Sequence, residues 1–184
     1  MTNKILIIGG TGNIGIELVK LFKNSEEDFQ LLARTEARQK EFSDQNLRSI
    51  MGEVGDWRSI DNALAGIDTV FLLTSPSPLM LDEHKGVIDR AIKAGVKKIV
   101  RLSAEPADAN CDMPLYAAHG QADDYLQNSG IDYVILRPHY FMQNTATMHG
   151  GFIKDKQMFA QYLGDATIPM IDVEDIALAA FNHF

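Results

Sequence analysis

Short apolar runs alternate along most of the chain with segments whose apolar residues recur every three or four positions. Residues 4–8 form a run rich in isoleucine and leucine that stops at a glycine. Residues 13–24 then carry Ile14, Leu18, Leu21 and Phe22 on one helical face. The same pattern predicts strands over 29–33, 47–51, 68–74, 97–103 and 131–137. Helices are predicted between them over 36–42, 58–64, 79–94 and 115–128. The breaker cluster Ser75-Pro76-Ser77-Pro78 closes the fourth strand, and Gly95 and Gly130 end the two longest later helices. Residues 141–164 show no clear period, and 168–171 with 173–181 read as one more strand and helix. Strands apolar on both faces and separated by helices predict a doubly wound α/β fold, a parallel sheet with helices on both faces. In that fold ligands bind beyond the C-terminal ends of the strands, where the strand order reverses. No repeat or linker divides the chain, so a single domain over 1–184 is expected, with 141–184 as a partial substrate-side region.

Composition narrows the class. A hydrophobic share of 46% against 23% charged residues is that of an ordinary globular protein. Asp and Glu number 25 against 17 Lys and Arg, giving a net charge of −8 without a basic cluster, so nucleic acid is not an expected partner. No apolar stretch approaches the roughly 20 residues that span a bilayer, so no membrane role is expected either. Cys111 is the only cysteine, which excludes an internal disulfide and fits a reducing compartment. The first residues lead straight into a strand without a signal-peptide apolar region, and the expected location is cytoplasmic. The histidines His84, His119, His139, His149 and His183 have no metal-ligand spacing. Asp123 and Asp124, adjacent on a helix, point different ways and are expected on a solvated face.

The chemistry concentrates at the first strand's end, in Gly9-Gly10-Thr11-Gly12-Asn13-Ile14-Gly15. A diphosphate needs backbone N–H donors and the positive end of a helix dipole near its oxygens. Glycines at a strand-to-helix turn allow that approach, and the spacing of Gly9, Gly12 and Gly15 predicts a dinucleotide site. The second strand then discriminates between cofactors: an acidic residue at its end binds a ribose 2′-OH, whereas a cation there binds a 2′-phosphate. Here the strand ends Leu31-Leu32-Ala33-Arg34, with Arg38 one turn on, so NADP is expected, with NAD as the alternative because Glu36 lies close by.

With that turn, further landmarks fall in order along the chain. They are Gly55-Asp56, Val70-Phe71-Leu72-Leu73-Thr74-Ser75-Pro76, Val100-Arg101-Leu102-Ser103-Ala104, Leu136-Arg137-Pro138 with Phe141-Met142 and Asn144, and Ile171-Asp172-Val173-Glu174-Asp175-Ile176-Ala177. Together they resemble the NmrA-like, atypical short-chain dehydrogenase/reductase family, whose members share an NAD(P)-binding Rossmann fold. Its members include quinone, dye and isoflavone-type reductases and non-catalytic NADP sensors. The resemblance implies that Asp56 lies near the adenine, that Thr74 and Ser75 line the crevice beside ribose and diphosphate, and that Ser103 faces the nicotinamide side. Read without it, Asp56 caps the next helix, Thr74 and Ser75 serve the turn before Pro76, and Arg137 shapes a turn or forms a buried ion pair.

Most short-chain reductases use a Tyr and a Lys four residues later, the lysine lowering the tyrosine pKa. Those positions here are Leu115 and His119. Tyr116 is one step round the helix, about 100 degrees away. His119 is expected to contact the cofactor and is the one candidate catalytic residue, an imidazole being able to donate a proton near neutral pH. His139 and Tyr140 are candidates near a substrate. Members of the resembled family usually continue past the Ile171–Ala177 stretch into a C-terminal lobe, so that lobe is expected to be reduced or missing. Two functions lead: reduction of a quinone, dye or similar small-molecule substrate by direct hydride transfer, or redox sensing through a regulatory protein partner; an epimerase or dehydratase of the extended short-chain class is disfavoured by the absent Tyr–Lys pair. A monomer or homodimer is expected.

Overall fold

The computed structural model describes residues 3–158 and 164–184; residues 1–2 and 159–163, the latter inside the stretch without clear period, lie outside the described residues. Six strands, β1 (Lys4–Ile8), β2 (Asp28–Ala33), β3 (Ser49–Met51), β4 (Thr69–Leu72), β5 (Lys98–Leu102) and β6 (Asp132–Leu136), form one parallel sheet. Their order is β3-β2-β1-β4-β5-β6, so the chain winds outward from β1 to β3, then crosses back to β4 and winds the other way. The reversal lies between β1 and β4. Ile8 pairs with Leu72 there, and the turn leaving β1 emerges beside Leu73.

Strand periodicity divides the core in two. Ile5 and Ile7 of β1, Leu31 and Ala33 of β2, Phe71 of β4 and Val100 and Leu102 of β5 face α1 (Asn13–Lys23) and the buried Phe42 of α2 (Glu36–Asp44). Leu6, Ile8, Leu32, Val70, Leu72 and Ile99 face the other way, onto α3 (Trp57–Ala63), α4 (Met80–Ala94) and α5 (Pro114–Gln127). Each fully buried aliphatic side chain of this kind contributes about 1.5–3 kcal/mol. The expected doubly wound architecture is the one formed, and the element ends fall within two residues of the sequence reading.

Beyond β6 the chain makes β7 (Tyr140–Phe141), two short helices α6 (Asn144–Thr147) and α7 (Gly150–Lys156), β8 (Met170–Ile171) and α8 (Val173–Phe181). The late strand does not extend the main sheet; β8 pairs in parallel with β7. Asp172 caps α8 by accepting from the Glu174 N–H, and the Gln143 side chain bonds both the Asp172 carboxylate and the Val173 N–H. Val173, Ile176, Ala177 and Ala180 then pack α8 into the α1 face, where Phe22 meets Phe181 and Phe184 edge-on at 5.0 and 5.1 Å.

One sequence expectation is overturned. Asp123 is not on a solvated face: it is completely buried, and only Asp124 is exposed. Arg101, next to last in β5, shares the face of Ile99 and is also fully buried, so α5 must turn a counter-charge toward the sheet.

Candidate functional site

The three spaced glycines do different work. Gly9 has φ +91°, and a Cβ there would run into the Leu73 carbonyl oxygen; a Cβ on Gly15 would overlap the carbonyl oxygen of Gly9. Both are demanded by the protein's own packing of strand against helix. Gly12 is not: the nearest atom to its Cβ position is Gly9 O at 3.6 Å, an ordinary contact, and its φ of −79° suits any residue. Thr11, Gly12 and Asn13 are exposed beyond the end of β1, and Gly12 begins α1 without a side-chain cap. The N–H groups of Asn13, Ile14 and Gly15 thus open the helix with no side chain answering them, and bare backbone lies over the dipole's positive end. These residues fit a diphosphate.

Around this turn lie the C-terminal ends of β2, β3 and β4. Arg34 is exposed just after β2. Arg38 sits one turn further, its backbone N–H donating to the Thr35 hydroxyl that caps α2 and its guanidinium paired with Glu41 at 2.5 Å. Asp56 is exposed and occupies the N-cap position of α3 without making a cap hydrogen bond; Ser59 bonds its backbone carbonyl instead. Ser75 is exposed and Thr74 half-buried. The Thr74 hydroxyl lies 2.9 Å from His84 Nε2. Burial raises the pKa of Glu83, opposed by Thr74 and, more weakly, by the charge of Arg34.

Behind Thr74 is a buried polar network that the sequence reading missed. Arg101 donates through Nε to His84 Nδ1 at 2.9 Å, pairs with Asp123 and lies 3.3 Å through Nη2 from His119 Nδ1. Ser103 and Arg137 both donate to Asp123 Oδ2 at 2.8 Å. Ser103 is therefore turned inward, its hydroxyl given to Asp123, and Arg137 forms an ion pair with a buried partner. Burial pulls the Arg101 pKa down to about 10, opposed by the Asp123 charge, and the group stays cationic at neutral pH. His84 falls well below its ordinary value through burial, then through the charge of Arg101. His119 falls to about 4 for the same reasons in the same order. The signal for this network was available: an arginine inside an otherwise apolar two-faced strand needs an anion on the facing helix.

Leu115 is exposed and Tyr116 half-buried one turn before His119, while Gly120 lets the loop at Asp108 and Ala109 lie directly on α5. His139 is exposed, and the Tyr140 hydroxyl lies 3.2 Å from His149 Nε2. Among the described residues no group of three or more His, Cys, Asp or Glu is placed to hold a metal ion, and no helix is long and apolar enough to cross a membrane.

A glycine turn opening an uncapped helix at the reversal point of a doubly wound sheet defines a dinucleotide-binding α/β protein. Residues 9–184 match the NAD(P)H-binding family, and the chain belongs to it. Over 176 residues it is 31% identical to an NAD(P)H azoreductase of Xenophilus azovorans, covering 96% of this chain and 61% of the relative. The NADPH-dependent quinone oxidoreductase QOR2 of Escherichia coli, solved with NADPH, is 26% identical with a TM-score of 0.84, over 97% of this chain and 63% of that one. The triphenylmethane reductase of Citrobacter sp., solved with NADP(H), shares the fold at 20% identity and a TM-score of 0.85, over 97% and 64%. The chain thus spans a little over three fifths of the length of these relatives.

Proposed function

We propose that this chain is the cofactor-binding part of an NmrA-like, NADP(H)-dependent reductase acting on an electron-poor small molecule such as a quinone or an azo or related dye. The observation that carries the reading is the open face of Gly12 over the uncapped start of α1, with Arg34 exposed at the end of the neighbouring strand. The azoreductase and quinone oxidoreductase names of its relatives supply the substrate class. In this reading the α1 N–H groups and Thr11 hold the diphosphate, and Arg34 binds the 2′-phosphate with Arg38 able to join by leaving Glu41. Asp56 borders the adenine, Thr74 and Ser75 the ribose and diphosphate, and Ser103 orders the nicotinamide end from behind through Asp123. A bound NADPH supplies the hydride. His119 serves as a neutral hydrogen-bond donor to the cofactor, and the product takes its proton from water. A reducing, cytoplasmic setting and a monomer or homodimer fit the same reading.

The test is NADPH consumption, followed with a panel of quinones, dyes and imines at cofactor levels shown to saturate binding. Turnover of any quinone or dye supports the reductase. Tight binding without turnover across the panel would sink it and favour a redox sensor with a regulatory protein partner. That second reading draws on Leu115 and His119, which stand where a Tyr–Lys pair would deliver a proton.

A further inference from the structure

The buried guanidinium of Arg101 reaches two imidazoles, and at both it meets Nδ1: His84 through Nε and His119 through Nη2. A guanidinium only donates. Each Nδ1 must therefore be the bare, accepting nitrogen. We propose that Arg101 is a positioning residue that fixes His84 and His119 together in the Nε2–H form, so that both point a single donor away from the buried cation. From His84 that donor goes to the Thr74 hydroxyl, 2.9 Å away. Thr74 accepts there, so its own proton is directed away from the ring. The result is a one-way chain, Arg101 to His84 to Thr74, running from the core to the proposed crevice.

The charged and titratable groups around the two rings keep this arrangement fixed. Arg101 comes from β5, Asp123 from α5, Arg137 from the end of β6 and Glu83 from α4 beside His84. Asp123 is already shared by Arg101, Arg137 and Ser103, so it does not draw a proton onto either imidazole. The two histidines thus form no acid–base pair; they act as rigid neutral donors. The Thr74 hydroxyl, accepting from His84, turns its own proton away from the ring, which suits a ribose or phosphate oxygen of a ligand. That last consequence rests on the NAD(P)H-reductase reading, whereas the tautomers do not.

The experiment is a long-range proton–nitrogen correlation spectrum of the full chain labelled with 15N-histidine, recorded from pH 8 to 5.5. His84→Gln and His119→Gln each remove one set of signals and so assign the two rings. Both rings should show a bare Nδ1 and a protonated Nε2 over the whole range. A protonated Nδ1 in either ring at pH 7, or an imidazolium by pH 5.5, overturns the proposal. Arg101→Lys keeps the charge but cannot make two diverging directed bonds. In that variant at least one ring should become a tautomer mixture. Unchanged tautomers in folded Arg101→Lys would also overturn it. Should this variant not fold, the parent spectrum alone decides. Failure of the reductase reading would appear in turnover and leave that spectrum untouched.

Discussion

Arg101 near the C-terminal end of β5 and Asp123 on α5 meet with neither side chain reached by solvent. Two further donors, Ser103 and Arg137, share the second oxygen of Asp123. Removing one member of such a pair leaves an uncompensated charge in the core, which typically costs about 3–5 kcal/mol. Asp123→Ala should therefore lower unfolding free energy by about that amount, read from urea denaturation followed by circular dichroism. A loss no larger than that of an exposed control such as Asp124→Ala would show that the pair is hydrated in solution.

The glycines of the first turn separate packing from ligand binding. Gly15→Ala forces a Cβ onto the Gly9 carbonyl and should abolish or severely weaken folding. Gly12→Ala meets no such obstacle and has an ordinary φ, so its stability cost should stay near 1 kcal/mol or less. Its methyl group would, however, stand where the diphosphate lies, raising the NADPH Kd by about tenfold or more. Thermal melts with and without NADPH check both parts. An unchanged Kd in Gly12→Ala would remove that glycine from the site.

Arg34 and Arg38 differ in what already holds them. Arg34 is exposed at the strand end, while Arg38 is engaged with Glu41 and must leave it to reach a ligand. A charge-assisted bond to phosphate is worth about 1.5–3 kcal/mol. In calorimetric titration Arg34→Ala should weaken NADPH by roughly tenfold to a hundredfold. NADH should be little affected, and Arg38→Ala should have the smaller effect of the two. Equal losses for the two cofactors would take Arg34 out of the 2′-phosphate site.

The sequence carried the sheet and its cofactor turn because both rest on local signals. Ile5 to Ile8 are apolar on both faces, the helices between strands keep their own period, and Gly9, Gly12 and Gly15 sit at one strand-to-helix junction. The network behind Thr74 rests on side chains 17 to 22 residues apart, from His84 to Arg101 to Asp123, and no local period joins them. Asp123 was read as solvated because its neighbour Asp124 hid which of the two faced the sheet. Parity along β5 could have decided it. Arg101 follows Ile99 by two residues and so lies on the α4–α5 face, where its charge demands a carboxylate. The pairing of residues 170–171 with 140–141 was illegible for another reason: a two-residue strand carries no period at all.

His119 makes the fold sensitive to acid. Burial, then the charge of Arg101, holds its pKa near 4 in the folded protein against 6.5 when unfolded. Between those values the unfolded chain binds a proton at this ring that the folded chain refuses, so stability rises with pH across the window. The contribution is fully present above pH 6.5, is lost progressively as pH falls, and is gone below about 4. The ring is half-buried, and with solvent screening counted the loss should be about 1–2 kcal/mol. His84, shifted in the same direction and more deeply buried, adds to it. Melting temperature should thus drop between pH 7 and 4.5, and His119→Gln, which has no proton to gain, should flatten part of that slope. A parent and a variant with parallel pH–stability curves would mean that His119 titrates alike in the folded and unfolded chains, and with that the contact to Arg101 would be lost.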